Sequence, residues 1–123
     1  MNLQSIYEQK DLFCAGVYRL FNTQNERSYI GTAQSVVFRV YTHCQQLNTH
    51  RHRRLELQAD WDAYGWQAFR FEVLHRVDDD RARLYWEAYY MTFGGFNLYN
   101  CARDIEDRRY ATLHAQYRQY VNV

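Results

Sequence analysis

Apolar residues along this chain fall into two periods. Over 68–77, Phe69, Phe71 and Val73 alternate with Arg70 and Glu72, the two-residue period of a half-buried strand. Upstream, strands are expected over 14–21 and 27–31, and the polar stretch 22–26 between them makes a hairpin turn. Helical spacing predicts helices over 36–47 and 54–64, the second closed by Gly65. The Asp78-Asp79-Asp80 run suits a helix start, because a carboxylate oxygen caps free backbone N–H groups and negative charge suits that end of the macrodipole. A cation site is the sharper reading of three aspartates, but adjacent aspartates on a turn point in different directions. That helix runs to Phe93 and stops at Gly94-Gly95. A last helix, from about 104 to 121, carries Tyr110, Leu113, Tyr117 and Tyr120 at three- and four-residue spacing, a stripe for core packing or for a partner. The elements predict an α+β fold: a small antiparallel three-stranded sheet flanked by helices.

Composition changes this picture little. At 123 residues with no proline and no linker-like stretch, one domain over 1–123 is expected. Three cysteines, Cys14, Cys44 and Cys101, lack close ligand spacing and point to neither a disulfide framework nor a zinc site. No apolar run reaches signal-peptide or membrane-spanning length, so a soluble, cytoplasmic protein without a membrane partner is expected. The net charge of +1 argues against a broad electrostatic clamp for nucleic acid. Only Lys10 among the fifteen basic residues is a lysine, so positive charge is delivered as guanidinium forks that match phosphate oxygens.

The expected hairpin places Gly16-Val17-Tyr18 opposite Ser28-Tyr29-Ile30-Gly31, so that two phenols come together. Arg39 and His43 follow, four apart on one helical face. Glu87 falls on the helical stripe of Leu84, Ala88 and Met91, where a buried carboxylate needs compensation by an arginine, by solvent or by a cation. Tyr99-Asn100 comes after it, with Asn97 a competing asparagine. These strings, in this order, resemble the GIY-YIG nuclease family, with Val17 in place of the usual isoleucine. The resemblance covers about 16–100, within a motif core of about 14–101. The stretch from His52 to Leu57-Gln58 and the Trp61 to Gly65 segment resemble the homing-endonuclease branch. Thr32 stands where some relatives carry a lysine, which leaves His43 as the candidate proton partner of the phenol.

The resemblance implies a DNA endonuclease dependent on Mg²⁺ or Mn²⁺. Its catalytic set would be Tyr18, Tyr29, Arg39, His43, Glu87 and Asn100, with Glu87 as metal ligand and Gly16 and Gly31 as structural glycines. An isolated phenol is a poor base at neutral pH, so Tyr18 needs help, and a histidine can take its proton or act on water directly. Arg39 would grip the scissile phosphate. His50, Arg51, His52, Arg53 and Arg54 form the densest positive charge and the candidate DNA-backbone contact, with solvated surface as the plain alternative. A non-hydrolytic binding module on the same scaffold, a homodimer, and a nuclease needing a separate targeting partner stay open.

Overall fold

The computed structural model describes residue 6 and residues 8–100. Its order is β1 (Gly16–Asn22), β2 (Arg27–Ala33), α1 (Val36–Asn48), α2 (Leu55–Tyr64), β3 (Phe69–Arg76), α3 (Asp80–Phe93) and β4 (Asn97–Leu98), with short 3₁₀ turns at Lys10–Leu12 and Trp66–Ala68. The expected C-terminal helix and Cys101 lie outside the described residues.

The hairpin forms because its turn supplies its own acceptors. Asn22 Oδ1 accepts from the Gln24 amide at 2.9 Å, and Asn25 Oδ1 accepts from the Arg27 amide at 3.0 Å. The register that follows pairs Tyr18 with Gly31 and Leu20 with Tyr29. Tyr18 and Tyr29 are thus diagonal neighbours on one face, since side chains two apart on a strand share a face. β3 pairs antiparallel with the other side of β1, with a shift between Val17 and Tyr18 that leaves Leu74 as an extra residue. This bulge turns His75 onto the opposite face from Val73, where it stacks on Trp86 of α3 with ring centroids 4.2 Å apart. At Gly16, beside the bulge, a Cβ would run into the His75 carbonyl oxygen.

The sheet order is β3-β1-β2-β4, one strand more than the alternation predicts. β4 is parallel to β2 and only two residues long, too short to show a period, and it is held by Arg27 pairing with Asn97 and Ser28 with Leu98. One face of the sheet carries Tyr18, Leu20, Tyr29, Phe69 and Phe71 against Val36, Val40, Cys44 and Leu47 of α1 and Leu57 and Trp61 of α2. The other carries Val17 and Ile30 against Met91 of α3.

α1 starts without a side-chain cap; its first amide, Val36 N–H, donates to the Cys14 carbonyl at 2.9 Å. α3 has the cap that the aspartate run implied: Asp79 Oδ1 accepts from the Ala82 amide at 2.8 Å. Its inner face differs from the expected stripe. Leu84 is 36% exposed, whereas Ala82, Arg83, Tyr85, Glu87, Ala88 and Met91 are buried. At this end the helix is seated by Ala82 and Tyr85 packing on Val77, which rotates Leu84 into a shallow groove beside Thr32 and Ala33. Among the described residues, no helix is long and apolar enough to cross a membrane.

Removing a cap of this kind costs about 1 kcal/mol. Asp79→Ala is therefore expected to lower the urea-unfolding free energy by about that amount, while Asp78→Ala, which lies outside the cap position, should have a smaller effect in the same measurement.

Candidate active site

The inner face of the hairpin and the buried side of α1 meet around one hydrogen bond. Tyr18 Oη lies 2.6 Å from His43 Nε2. Tyr18 is 1% exposed and His43 2% exposed, so this contact satisfies two polar groups that would otherwise be buried at considerable cost. His43 is there because α1 buries Val36, Val40, His43, Cys44 and Leu47 along one stripe, and His43 is the member facing the hairpin tyrosines. The Tyr18 hydroxyl can reach it only because Gly31 stands across the ladder: a Cβ at Gly31 would occupy the space of the phenol's hydroxyl and ring carbons. The glycine ending the second string is thus required by the tyrosine of the first.

Two further rings close the site. Tyr29 meets His43 edge-on with centroids 5.3 Å apart, and His52 stacks on His43 at 5.1 Å. His52 Nε2 lies 2.9 Å from His43 Nδ1. His52 belongs by sequence to the basic run, but the fold separates it from its neighbours. It is buried, while His50, Arg51 and Arg53 are exposed and Arg54 is half-buried. His50 pairs with Asp62, Nδ1 to Oδ1, at 2.9 Å.

Gln58, to which the sequence alone assigned no role, anchors His52. Its Oε1 accepts from the His52 amide at 3.0 Å, and its Nε2 donates to the Leu47 carbonyl at 3.0 Å and to Asp62 Oδ1 at 2.9 Å. The available signal was its position on the α2 stripe between Leu57 and Trp61, where a glutamine needs buried partners.

Asn100 and Asn97 sit in different surroundings. Asn100 Oδ1 accepts from the Ile30 amide at 2.8 Å and its Nδ2 donates to the Ile30 carbonyl at 2.9 Å. The amide side chain thereby occupies both backbone groups of the residue between Tyr29 and Gly31. Asn97 is exposed, in a surface cleft lined by Arg19, Phe21 and Phe96. Thr32 Oγ1 reaches the Gly16 carbonyl at 3.4 Å, on the hairpin backbone.

Charge is placed around this neutral cluster. Glu87 is 1% exposed, and its carboxylate is close enough to raise the pKa of both Tyr18 and Tyr29. Burial is the larger cause for each phenol, and the exposed Arg39 acts against it as a nearby positive charge. Burial also pushes His43 down to about 3, with His52, Arg39 and Arg53 adding to the effect. His52 is pushed down to about 4 by burial and then by Arg39, Arg53 and Arg54. Both imidazoles are neutral at physiological pH.

The GIY-YIG catalytic domain matches the chain over residues 14–100. The chain belongs to the GIY-YIG nuclease family. It resembles the solved catalytic domain of the homing endonuclease I-TevI with a TM-score of 0.62 at 18% identity, covering 71% of this chain and 99% of that one. A glutamate-to-alanine variant of the I-TevI catalytic domain gives a TM-score of 0.59 at 22% identity, covering 63% of this chain and 80% of that one. At these identities the likeness is one of fold. No curated protein sequence matches the chain significantly. As a GIY-YIG enzyme the protein is a nuclease, and its two signature strings are the two strands that bring Tyr18 and Tyr29 onto one face.

The neutral histidines of this GIY-YIG domain link stability to pH. The folded pKa of His43, about 3, lies below the 6.5 of a free imidazole, so the unfolded chain binds the proton first as pH falls. His43 should thus contribute fully above pH 6.5 and lose its contribution toward pH 3, with a limiting slope of about 1.4 kcal/mol per pH unit. Urea titrations between pH 7 and 5 are expected to show falling stability in the wild type and a flatter profile in His43→Gln.

Proposed function

We propose that the protein is a divalent-metal-dependent DNA endonuclease, in which the Tyr18–His43 pair handles the proton of an attacking water. The observation that carries this reading is the 2.6 Å contact between Tyr18 Oη and His43 Nε2, held under Tyr29 and within the field of Arg39 and Glu87. A phenol with a raised pKa is a strong base once ionised. Tyr18 becomes effective wherever neighbouring groups stabilise its phenolate, and an imidazole nitrogen and a guanidinium are both suited to do so.

Arg39 is exposed on the rim of the site, one helical turn before His43, where it is accessible to a phosphodiester. Its planar fork can bind two phosphate oxygens and stabilise charge that grows on them as water attacks. Tyr29 walls the site beside both histidines and helps to exclude bulk water. Asn100 positions the β2 backbone that carries Tyr29 and Gly31.

The donor set suits a single hard cation. Among the described residues, no cluster of three or more His, Cys, Asp or Glu side chains could enclose a metal, while Glu87 offers a buried carboxylate whose charge is felt at both phenols. Mg²⁺ typically takes one or two carboxylates and completes its shell with water and phosphate. Glu87 would hold Mg²⁺ or Mn²⁺, which when bound polarises the phosphate and neutralises the leaving oxygen. The DNA backbone would be followed by Arg51 and Arg53, the exposed arginines of the basic run, with His50 and the half-buried Arg54 at its ends.

Incubation of purified protein with supercoiled plasmid, with and without Mg²⁺ or Mn²⁺, is expected to show metal-dependent cleavage. Glu87→Gln should abolish it while leaving the circular dichroism spectrum and most of the DNA affinity unchanged. Arg39→Ala should slow single-turnover cleavage by the equivalent of about 2.7–4 kcal/mol, the usual loss for a preorganised charge stabiliser. Full activity in Glu87→Gln would remove that carboxylate from the reaction.

A further inference from the structure

In the sequence His43 is a candidate to take the proton of Tyr18 or to act on water directly, and the first of these needs a bare nitrogen facing the phenol. The geometry points the other way. We infer that His52, anchored by the Arg54 backbone amide, makes His43 the hydrogen-bond donor to Tyr18 Oη and turns the Tyr18 hydroxyl proton outward into the site. Its consequence for catalysis rests on the nuclease reading above; the hydrogen-bond polarity rests on the contacts of the two rings and is independent of that reading.

The direction is fixed at one end by a group that can only donate. The Arg54 backbone N–H points at His52 Nδ1 from 3.1 Å, so that nitrogen presents its lone pair. A neutral His52 then carries its proton on Nε2, which faces His43 Nδ1 at 2.9 Å. His43 Nδ1 must accept, so the proton of a neutral His43 is on Nε2, facing Tyr18 Oη at 2.6 Å. The reverse polarity would put a proton on His52 Nδ1 against the Arg54 amide, two donors 3.1 Å apart. A charged imidazole is opposed by burial and by the positive charges of Arg39 and Arg53.

His52 has little freedom to turn out of this arrangement. Its amide is held by Gln58 at 3.0 Å, and its ring stacks on His43 at 5.1 Å and meets Tyr29 edge-on at 6.1 Å. It is a positioning residue, acting on Tyr18 through His43.

The consequence is a route for the proton. Tyr18 cannot pass its proton to a nitrogen that already carries one. On ionising, the phenol gives its proton on the open side to hydroxide, which becomes water. The phenolate keeps the His43 Nε2–H as a donor and then takes one proton from the attacking water as the water oxygen bonds to phosphorus and the bond from phosphorus to the leaving sugar oxygen breaks; the leaving oxygen takes its proton from solvent water, which restores the hydroxide consumed at the start. Tyr18 ends protonated, and His43 and His52 end as they began.

Two-bond ¹H–¹⁵N correlation spectra of the whole chain at neutral pH, without nucleic acid, read the tautomer of each ring directly. Assigned through His43→Gln and His52→Gln, both rings should show a proton on Nε2 and a bare Nδ1. A proton on Nδ1 of either ring would overturn the inference. His52→Gln and His52→Glu supply the second arm, because a glutamine amide can still donate to His43 Nδ1 and a carboxylate can only accept. In His52→Gln, His43 should keep its Nε2–H signature, and single-turnover cleavage should fall by no more than about tenfold. In His52→Glu, His43 should shift to an Nδ1-protonated or doubly protonated pattern, and cleavage should fall roughly a hundredfold. An unchanged His43 pattern in folded His52→Glu would also overturn it. The wild-type spectra decide the polarity whether or not the chain cleaves DNA, so failure of the nuclease reading would register in the cleavage assay alone.

Discussion

The contact between the Tyr18 phenol and His43 constrains the domain from three directions. The phenol lies across Gly31, so the hairpin register admits no side chain at that position. It is almost fully buried, so it needs a partner, and the partner comes from α1, which fixes how that helix sits on the sheet. His43 in turn has a second nitrogen to satisfy, and this draws His52 out of an otherwise exposed basic segment. Gln58, on α2, then ties that segment back to Leu47 at the end of α1. Each polar group buried at the site calls for the next, until the series ends at the backbone amide of Arg54.

Electrostatics divides the site into a neutral interior and a charged rim. The stacked imidazoles are kept uncharged by burial and by the positive charges of Arg39 and Arg53, so a change across neutral pH alters neither. Arg39 is exposed, where it keeps its hydration until phosphate replaces it. Glu87 is the exception, an acid inside the fold whose charge raises both phenols. A carboxylate that raises phenol pKa values opposes base chemistry by Tyr18 when it acts alone. Charge neutralisation at Glu87 by a cation would relieve that opposition, which links the metal reading and the tyrosine reading physically.

A second network secures the far edge of the sheet. Tyr99 donates from its amide to the Ser28 carbonyl at 2.7 Å and from its hydroxyl to Asp60 at 2.6 Å, while Arg27 stacks over its ring at 4.4 Å. Asp60 also accepts from Asn25 in the hairpin turn at 2.9 Å. Residues 97–100 therefore join β2, α2 and the turn, and Asn100 next to Tyr99 is delivered to the Ile30 backbone by that attachment. In the fold Asn100 clasps the strand bearing Tyr29 through both backbone groups of Ile30.

The sequence by itself determined what repeats or lies close together. The alternation of Phe69, Phe71 and Val73, the polar turn after Asn22, the four-residue step from Arg39 to His43 and the Asp79 cap depend on local geometry, and each is found in the fold. Tertiary structure decided what depends on a partner distant in sequence. β4 is two residues long and exists only because β2 is beside it; the Leu74 bulge is visible only against β1; and Leu84 faces outward because Ala82 and Tyr85 claim Val77. His52 opens a family-like stretch in the sequence and also belongs to the basic run, and its burial beside His43 came only with the contacts that Gln58 and His43 make to it. Nor could any spacing of residues reveal which nitrogen of His43 carries the proton. That is set at the end of a hydrogen-bonded series by a main-chain amide, a group every residue but proline has and only folding aims.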